Sequence, residues 1–164
     1  MTDVLDIDTL PGKEEKLVTF HGEEQRLVYR VLGHWRRLAG HRAMPRLEEF
    51  DPWAIPEMWD DCFVIDASDP SDLAFHSVGA SHIAVLGRNP SGQRLSSVGP
   101  NTLLAHAVAY AGKVVERRVP ISLGGQFIDG GRRMVLYRSI LMPLAGDRGL
   151  ALLGAANCRA VVLG

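Results

Sequence analysis

The sequence predicts an α+β fold: an N-terminal amphipathic helix, then a five-stranded antiparallel sheet split two and three around a helical crossover. Three observations carry this. Apolar residues from Leu27 to Ala39 recur at intervals of three and four, the period of a helix with one buried face. Two short apolar runs, 62–67 and 73–79, flank the loop Ser68-Asp69-Pro70-Ser71-Asp72 and read as a hairpin. Three longer runs, near 114–123, 132–144 and 150–163, finish the chain. The turns Asp129-Gly130-Gly131 and Gly146-Asp147-Arg148-Gly149 lie between them.

Each element has its own signal. Residues 1–20 carry Asp3, Asp6, Asp8, Glu14 and Glu15 around Pro11-Gly12 and read as an acidic, flexible leader. Residues 21–58 hold the helix and a proline-rich connector. Glu23 and Glu24 open the helix near 22–39, Arg36 and Arg37 close it as its dipole prefers, and Gly40 stops it. Asp51-Pro52 predicts a capped helical turn that carries Trp53 and Trp59 inward. Residues 59–164 form the core. Its crossover is expected as a short helix at 80–86, a helical piece near 92–95, and a helix over 102–111 capped by Asn101 and closed by Gly112. Gly124-Gly125 and Gly130-Gly131 read as turn glycines, since no helix N-terminus follows to grip a phosphate.

Composition excludes several classes. With 164 residues the chain has the length of one domain. Its 18 basic and 19 acidic residues leave a net charge of −1, without the basic excess of a nucleic-acid binder. Cys62 and Cys158 are too few for a disulfide framework or a four-cysteine zinc site. The acidic start is the opposite of a signal peptide, and no run of apolar residues reaches membrane-spanning length. The expectation is a cytoplasmic protein that binds neither nucleic acid nor membrane.

The stretch His34-Trp35-Arg36-Arg37-Leu38-Ala39-Gly40-His41-Arg42-Ala43-Met44-Pro45-Arg46, leading into Phe50-Asp51-Pro52-Trp53-Ala54-Ile55-Pro56, resembles the opening of a bacterial single-domain PAS family. Leu73-Ala74-Phe75-His76-Ser77-Val78-Gly79, followed by Leu86-Gly87-Arg88-Asn89-Pro90-Ser91-Gly92, is similar to that family's second strand and crossover. The resemblance spans about residues 25–162. It implies a PAS-like sheet and a sensory or interaction role in signal transduction, and it names no reaction.

The resemblance raises two cofactor questions. Flavin-binding light sensors of this fold carry a reactive Cys in an Asn-Cys-Arg run on the crossover. Pro90 follows Asn89 at the matching place here, so adduct chemistry is not expected, and Asn157-Cys158-Arg159 falls on the last strand. Haem-binding relatives use a His on the long helix, where this chain has His106. His106 therefore has two readings, an iron ligand or a core histidine bonded to a carbonyl. The space between sheet and crossover is expected to be lined by Phe63, Ile83, His106, Tyr110, Met134 and Leu136. No metal-ligand spacing, nucleophile elbow or paired-carboxylate motif accompanies them, and no catalytic or metal-binding residue is assigned.

Between Gln25 and Leu47 lie six arginines, two histidines and no acid. They read either as the wet face of a helix and ties to carboxylates such as Asp51, or as a docking face for an acidic or phosphorylated partner. The apolar stripe of the helix, Val28, Val31, Trp35 and Leu38, reads either as packed on its own domain or as a homodimer seam, with Arg36 and Arg42 beside it. With the last strand running to Leu163, the sequence reads as leaving no room for an effector domain. Output is then expected through a second copy or another regulatory protein, and not by catalysis. A small enzyme using His106 and Tyr110 is the rival reading.

Overall fold

In a computed structural model, which describes residues 5–6 and 23–161, one sheet is covered on both faces. The strands are β1 (Leu5–Asp6), β2 (Cys62–Ala67), β3 (Ala74–Val78), β4 (Ile121–Ile128), β5 (Met134–Gly146) and β6 (Gly149–Val161). The helices are α1 (Glu23–Ala39), α2 (Pro56–Trp59), α3 (Ala80–Leu86), α4 (Leu103–Val108) and α5 (Ala111–Arg117). The sheet order is β1-β4-β5-β6-β2-β3. Every pair is antiparallel except β1 with β4, where Leu5 lies opposite Ile121 and Asp6 opposite Ser122. The five expected strands are thus present in the two-plus-three arrangement. A sixth, short strand comes from the stretch expected as a flexible leader; the remainder of that stretch lies outside the described residues.

Alternation along the strands sends successive side chains to opposite faces and so separates two cores. On the front, Phe63, Ile65, Tyr137, Leu141 and Leu152 pack against α4 and α5 through Leu104, Ala107, Val108 and Val114. On the back, Val64, Ile140, Met142, Leu144 and Leu153 pack against α1 through Leu27, Val31, Leu32 and Trp35. The Trp35 indole is fully buried and donates from Nε1 to the carbonyl of Pro143 at 2.8 Å, which ties α1 to β5.

The apolar stripe of α1 takes the first of its two readings, packing on its own domain. Val28, Val31 and Trp35 are buried in their own chain and Leu38 is half-buried, so the stripe covers the chain's own sheet. A seam built on them would have to strip that cover. Arg42 is likewise engaged within the chain. Its guanidinium grips Glu49 with two bonds of 2.6 and 2.8 Å and donates to the carbonyls of Leu38 and Ala39 at the end of α1. That fork holds the Glu49 carboxyl down at about 2. Arg46 pairs with Glu48 at 3.1 Å. Asp51 ties to neither arginine; it caps the turn 52–54 by accepting from the Trp53 amide. Trp59 is half-buried, but Trp53 points to solvent and is 86% exposed, against the expectation that both turn inward.

The crossover departs from the sequence reading in one place. The expected single helix over 102–111 is two, capped by Thr102 (not Asn101), whose hydroxyl accepts from the Ala105 amide, and the second runs to Arg117. Residues 114–117 had been expected to start a strand. Val114 and Val115 favour strand locally, but Leu104, Ala107, Val108, Ala111 and Val114 keep a helical spacing and bury one face, and tertiary burial outweighs that propensity. Arg118, at φ 57°, ends the helix in the left-handed conformation.

Candidate functional site

The candidate site lies where the crossover meets the distal end of β4 and β5. Pairing of Gly125 with Tyr137 and of Phe127 with Val135 places these four residues on the front face. Gly124 and Gly125, expected in a turn, are inside β4. The Tyr137 ring lies so close over Gly125 that a Cβ there would meet its Cε1 and hydroxyl at 3.2 Å. His106, one turn into α4, is half-buried against these rings. Its imidazole stacks on Phe127 with centroids 4.3 Å apart and planes 16° from parallel, and lies 5.5 Å from Tyr137. Burial pushes the His106 pKa down, which favours the neutral ring.

Behind this triad a hydroxyl chain crosses the core. Tyr110 is buried, and its hydroxyl is 2.8 Å from Ser139 Oγ. Ser139 donates to the carbonyl of Leu123 at 2.8 Å, and Ser122 Oγ donates to the Ser139 carbonyl at 3.0 Å. Tyr110→Phe is expected to cost about 1 kcal/mol of stability, the net value of one buried hydrogen bond. Urea denaturation checks it; a loss below about 0.3 kcal/mol would show that the bond carries nothing.

On the outer side of Phe127 a groove of about 260 Å³ opens, floored by Leu103, Phe127, Val135 and Ala160. Val85 stands exposed on one bank, and Cys158 is exposed on another. At its mouth the Arg133 amide donates to Asp129 at 2.9 Å, and its guanidinium pairs with the same carboxyl through Nε at 3.0 Å and Nη2 at 2.9 Å. The amide bond first, and the guanidinium with it, hold the Asp129 carboxyl below its usual range.

The six residues expected to line one ligand space are therefore scattered. His106 is in the aromatic cluster, and Tyr110 is committed to Ser139. Phe63 is fully buried at the centre, its ring occupying the place where a side chain on Gly154 would stand. Ile83 is half-buried against the front core. Met134 and Leu136 are corrections. Both alternate in register with Ile140 and Met142, so they belong to the back face, away from the crossover. Phe127 was missed because Gly124-Gly125 reads as a turn, and Tyr137 and Ser139 because Met134 and Leu136 were expected to turn the opposite face of their strand toward the crossover.

A porphyrin does not fit the residues around His106. The ring space beside the imidazole is filled by Phe127 and Tyr137, and the adjoining groove is smaller than a tetrapyrrole requires. His106 is a packed aromatic residue here. Among the described residues, no group of three or more His, Cys, Asp or Glu is placed to hold a metal ion. None of their helices is long and apolar enough to cross a membrane.

His82, on α3, is buried edge-on to Phe63, with centroids 5.5 Å apart, and its Nε2 lies 2.8 Å from the Asp61 carbonyl. Burial lowers its pKa below the ordinary 6.5 against the opposing pull of Asp61. The unfolded chain thus takes up this proton first on acidification. Stability is present above pH 6.5 and declines as pH falls through it, with His106 adding the same sign. The urea midpoint is expected to be lower at about pH 5.5 than at about pH 7.5, and less so in His82→Gln. Equal midpoints at the two pH values would contradict the assignment.

A family model described as PAS domain matches residues 24–156. No curated protein matches the chain. Among solved structures, the light-state LOV domain of the blue-light photoreceptor Aureochrome1 is similar at 13% identity and a TM-score of 0.44, covering 67% of this chain and 88% of that one. A light-oxygen-voltage domain from a flavin-analogue study is similar at 15% identity and a TM-score of 0.47, covering 68% and 84%. The PAS domain of an HTR-like protein from Haloarcula marismortui is similar at 12% identity and a TM-score of 0.40, covering 84% and 97%. With most of its length matched by the family model and its strands in the order described above, the chain belongs to the PAS domain family.

Proposed function

We propose that the protein is a signalling sensor module that takes a small apolar ligand at the groove beside Phe127 and transmits its occupancy through the sheet to α1. The observation that supports this is the double role of Phe127. One side of its ring forms the groove floor, and it also stacks on His106 beside Tyr137. A ligand displacing this ring disturbs β4 and β5, and the other face of β5 carries α1 through the Trp35 bond. Output is then a shift in the population of surface conformations seen by another regulatory protein. The hydroxyl of Tyr110 is taken up by Ser139 and His106 by two rings, which favours contact over acid–base catalysis.

The test uses anilinonaphthalene sulfonate as the probe. Its fluorescence is expected to rise with the wild-type chain and not with the groove-filling variant Val85→Trp. Amide exchange in α1 is expected to change on loading. Absence of binding, or unchanged α1 exchange in the loaded protein, would defeat the proposal. Mass spectrometry of the denatured purified protein would identify a natural ligand.

A further inference from the structure

With its apolar stripe consumed by the sheet, α1 turns a basic face outward. Arg26, Arg30, Gly33 and Arg37 follow at intervals of four, three and four, which aligns them along about 16 Å of helix. All three arginines are exposed. Arg30 reaches Glu57 at 3.0 Å, whereas no carboxylate among residues 26–161 pairs with Arg26 or Arg37. In the connector, Trp53 stands four residues before Glu57, the partner of Arg30, with its indole almost wholly in water.

Arg30 apart, none of these side chains takes part in an ion pair among residues 26–161. Arginines facing solvent add little to stability. An exposed tryptophan loses its hydrophobic contribution, and such side chains are the commonest anchors of protein interfaces. Gly33 weakens the middle of α1, yet a Cβ there would meet only the Arg37 Nη1 at 3.5 Å, an ordinary contact. The fold therefore has room for alanine. The half-buried glycine backbone between two arginines does have a use if another helix crosses at that point and displaces the Arg37 guanidinium beside it.

We propose that this face docks an acidic helical segment of a partner protein. Its carboxylates lie opposite Arg26, Arg30 and Arg37, its backbone crosses at Gly33, and one apolar side chain rests on Trp53. This rests on the signalling reading above and supplies the class of partner. A second copy is disfavoured, since it would set two arginine lines against each other. A nucleic acid is disfavoured because the chain, at a net charge of −1, has no basic excess around the patch to draw a continuous polyanion.

The probe is a fluorescein-labelled synthetic amphipathic peptide with a glutamate-rich face and a leucine stripe, titrated into the full chain and read by anisotropy. Affinity is expected to fall about tenfold in the triple variant Arg26→Glu, Arg30→Glu, Arg37→Glu, the sum of three surface charge pairs. A similar loss is expected in Trp53→Ala. Gly33→Ala is expected to weaken binding while raising Tm, a combination that a purely structural glycine would not produce. Every variant is expected to keep the wild-type fluorescence of anilinonaphthalene sulfonate. Equal affinity in the triple variant, tighter binding of a single-stranded DNA oligonucleotide of matched charge, or a dimer in sedimentation that the peptide disperses would each overturn the proposal. Peptide binding without dye binding would leave the docking face standing and remove the sensor reading; dye binding without peptide binding would do the reverse.

Discussion

Replacing Trp35 with alanine is expected to lower the unfolding free energy by about 3–5 kcal/mol, the cost of emptying a large, fully buried aromatic site. The indole is the largest side chain of the back core and contributes two things at once. Its ring fills the space between α1 and the strands, and its Nε1 satisfies the Pro143 carbonyl. Truncation creates a cavity and leaves a buried acceptor unpaired, two costs that add. Trp35→Phe keeps most of the volume and is expected to lose less, about 1–2 kcal/mol, mainly the hydrogen bond. Urea denaturation of both variants separates packing from polar satisfaction. A cost for Trp35→Ala below about 1 kcal/mol would mean that α1 is not held as described.

The second large effect is expected at Phe63. Alanine there should also cost about 3–5 kcal/mol, because the ring is at the centre of the front core and seated directly over Gly154. A Cβ on Gly154 would come within 2.2 Å of the Phe63 ring and 2.9 Å of Leu141. Gly154 and Leu141 beside Phe63 are held in the hydrogen-bonded ladder of β5 and β6, so the space left by its ring closes only in part. An apolar cavity of this kind stays dry and takes up small aromatics. Benzene is therefore expected to raise the Tm of Phe63→Ala and leave the wild type unchanged. A Phe63→Ala chain of near wild-type stability would instead return Phe63 to the role of a dispensable ligand contact, as the sequence suggested.

Both variants probe the two-sided sheet, and the sequence shows only part of that arrangement. The stripe of α1 is visible in the spacing of Leu27, Val31 and Trp35, as is the length of β2 in its uninterrupted apolar run. What covers the stripe is not visible, because an apolar face reads the same whether its complement is the chain's own sheet or another copy. Met134 shows a similar limit. Its hydrophobicity is evident, but its face depends on strand register, and a shift of one residue moves every side chain across the sheet. The aromatic cluster was hidden for a related reason. Gly124-Gly125 carries a turn signal, and only the close approach of Tyr137 explains glycine inside a strand.

By itself the sequence determined the single-domain scale, the amphipathic helix and the PAS-like succession of two strands, crossover and three strands. These follow from local periodicity and turn chemistry, which act over a few neighbouring residues. The tertiary structure decided which face of the sheet each helix covers, where α4 gives way to α5, and that His106 stacks on rings. It also decided that Trp53 and the arginines of α1 remain outside. Those outcomes depend on burial summed over residues far apart in the chain, which no local pattern records.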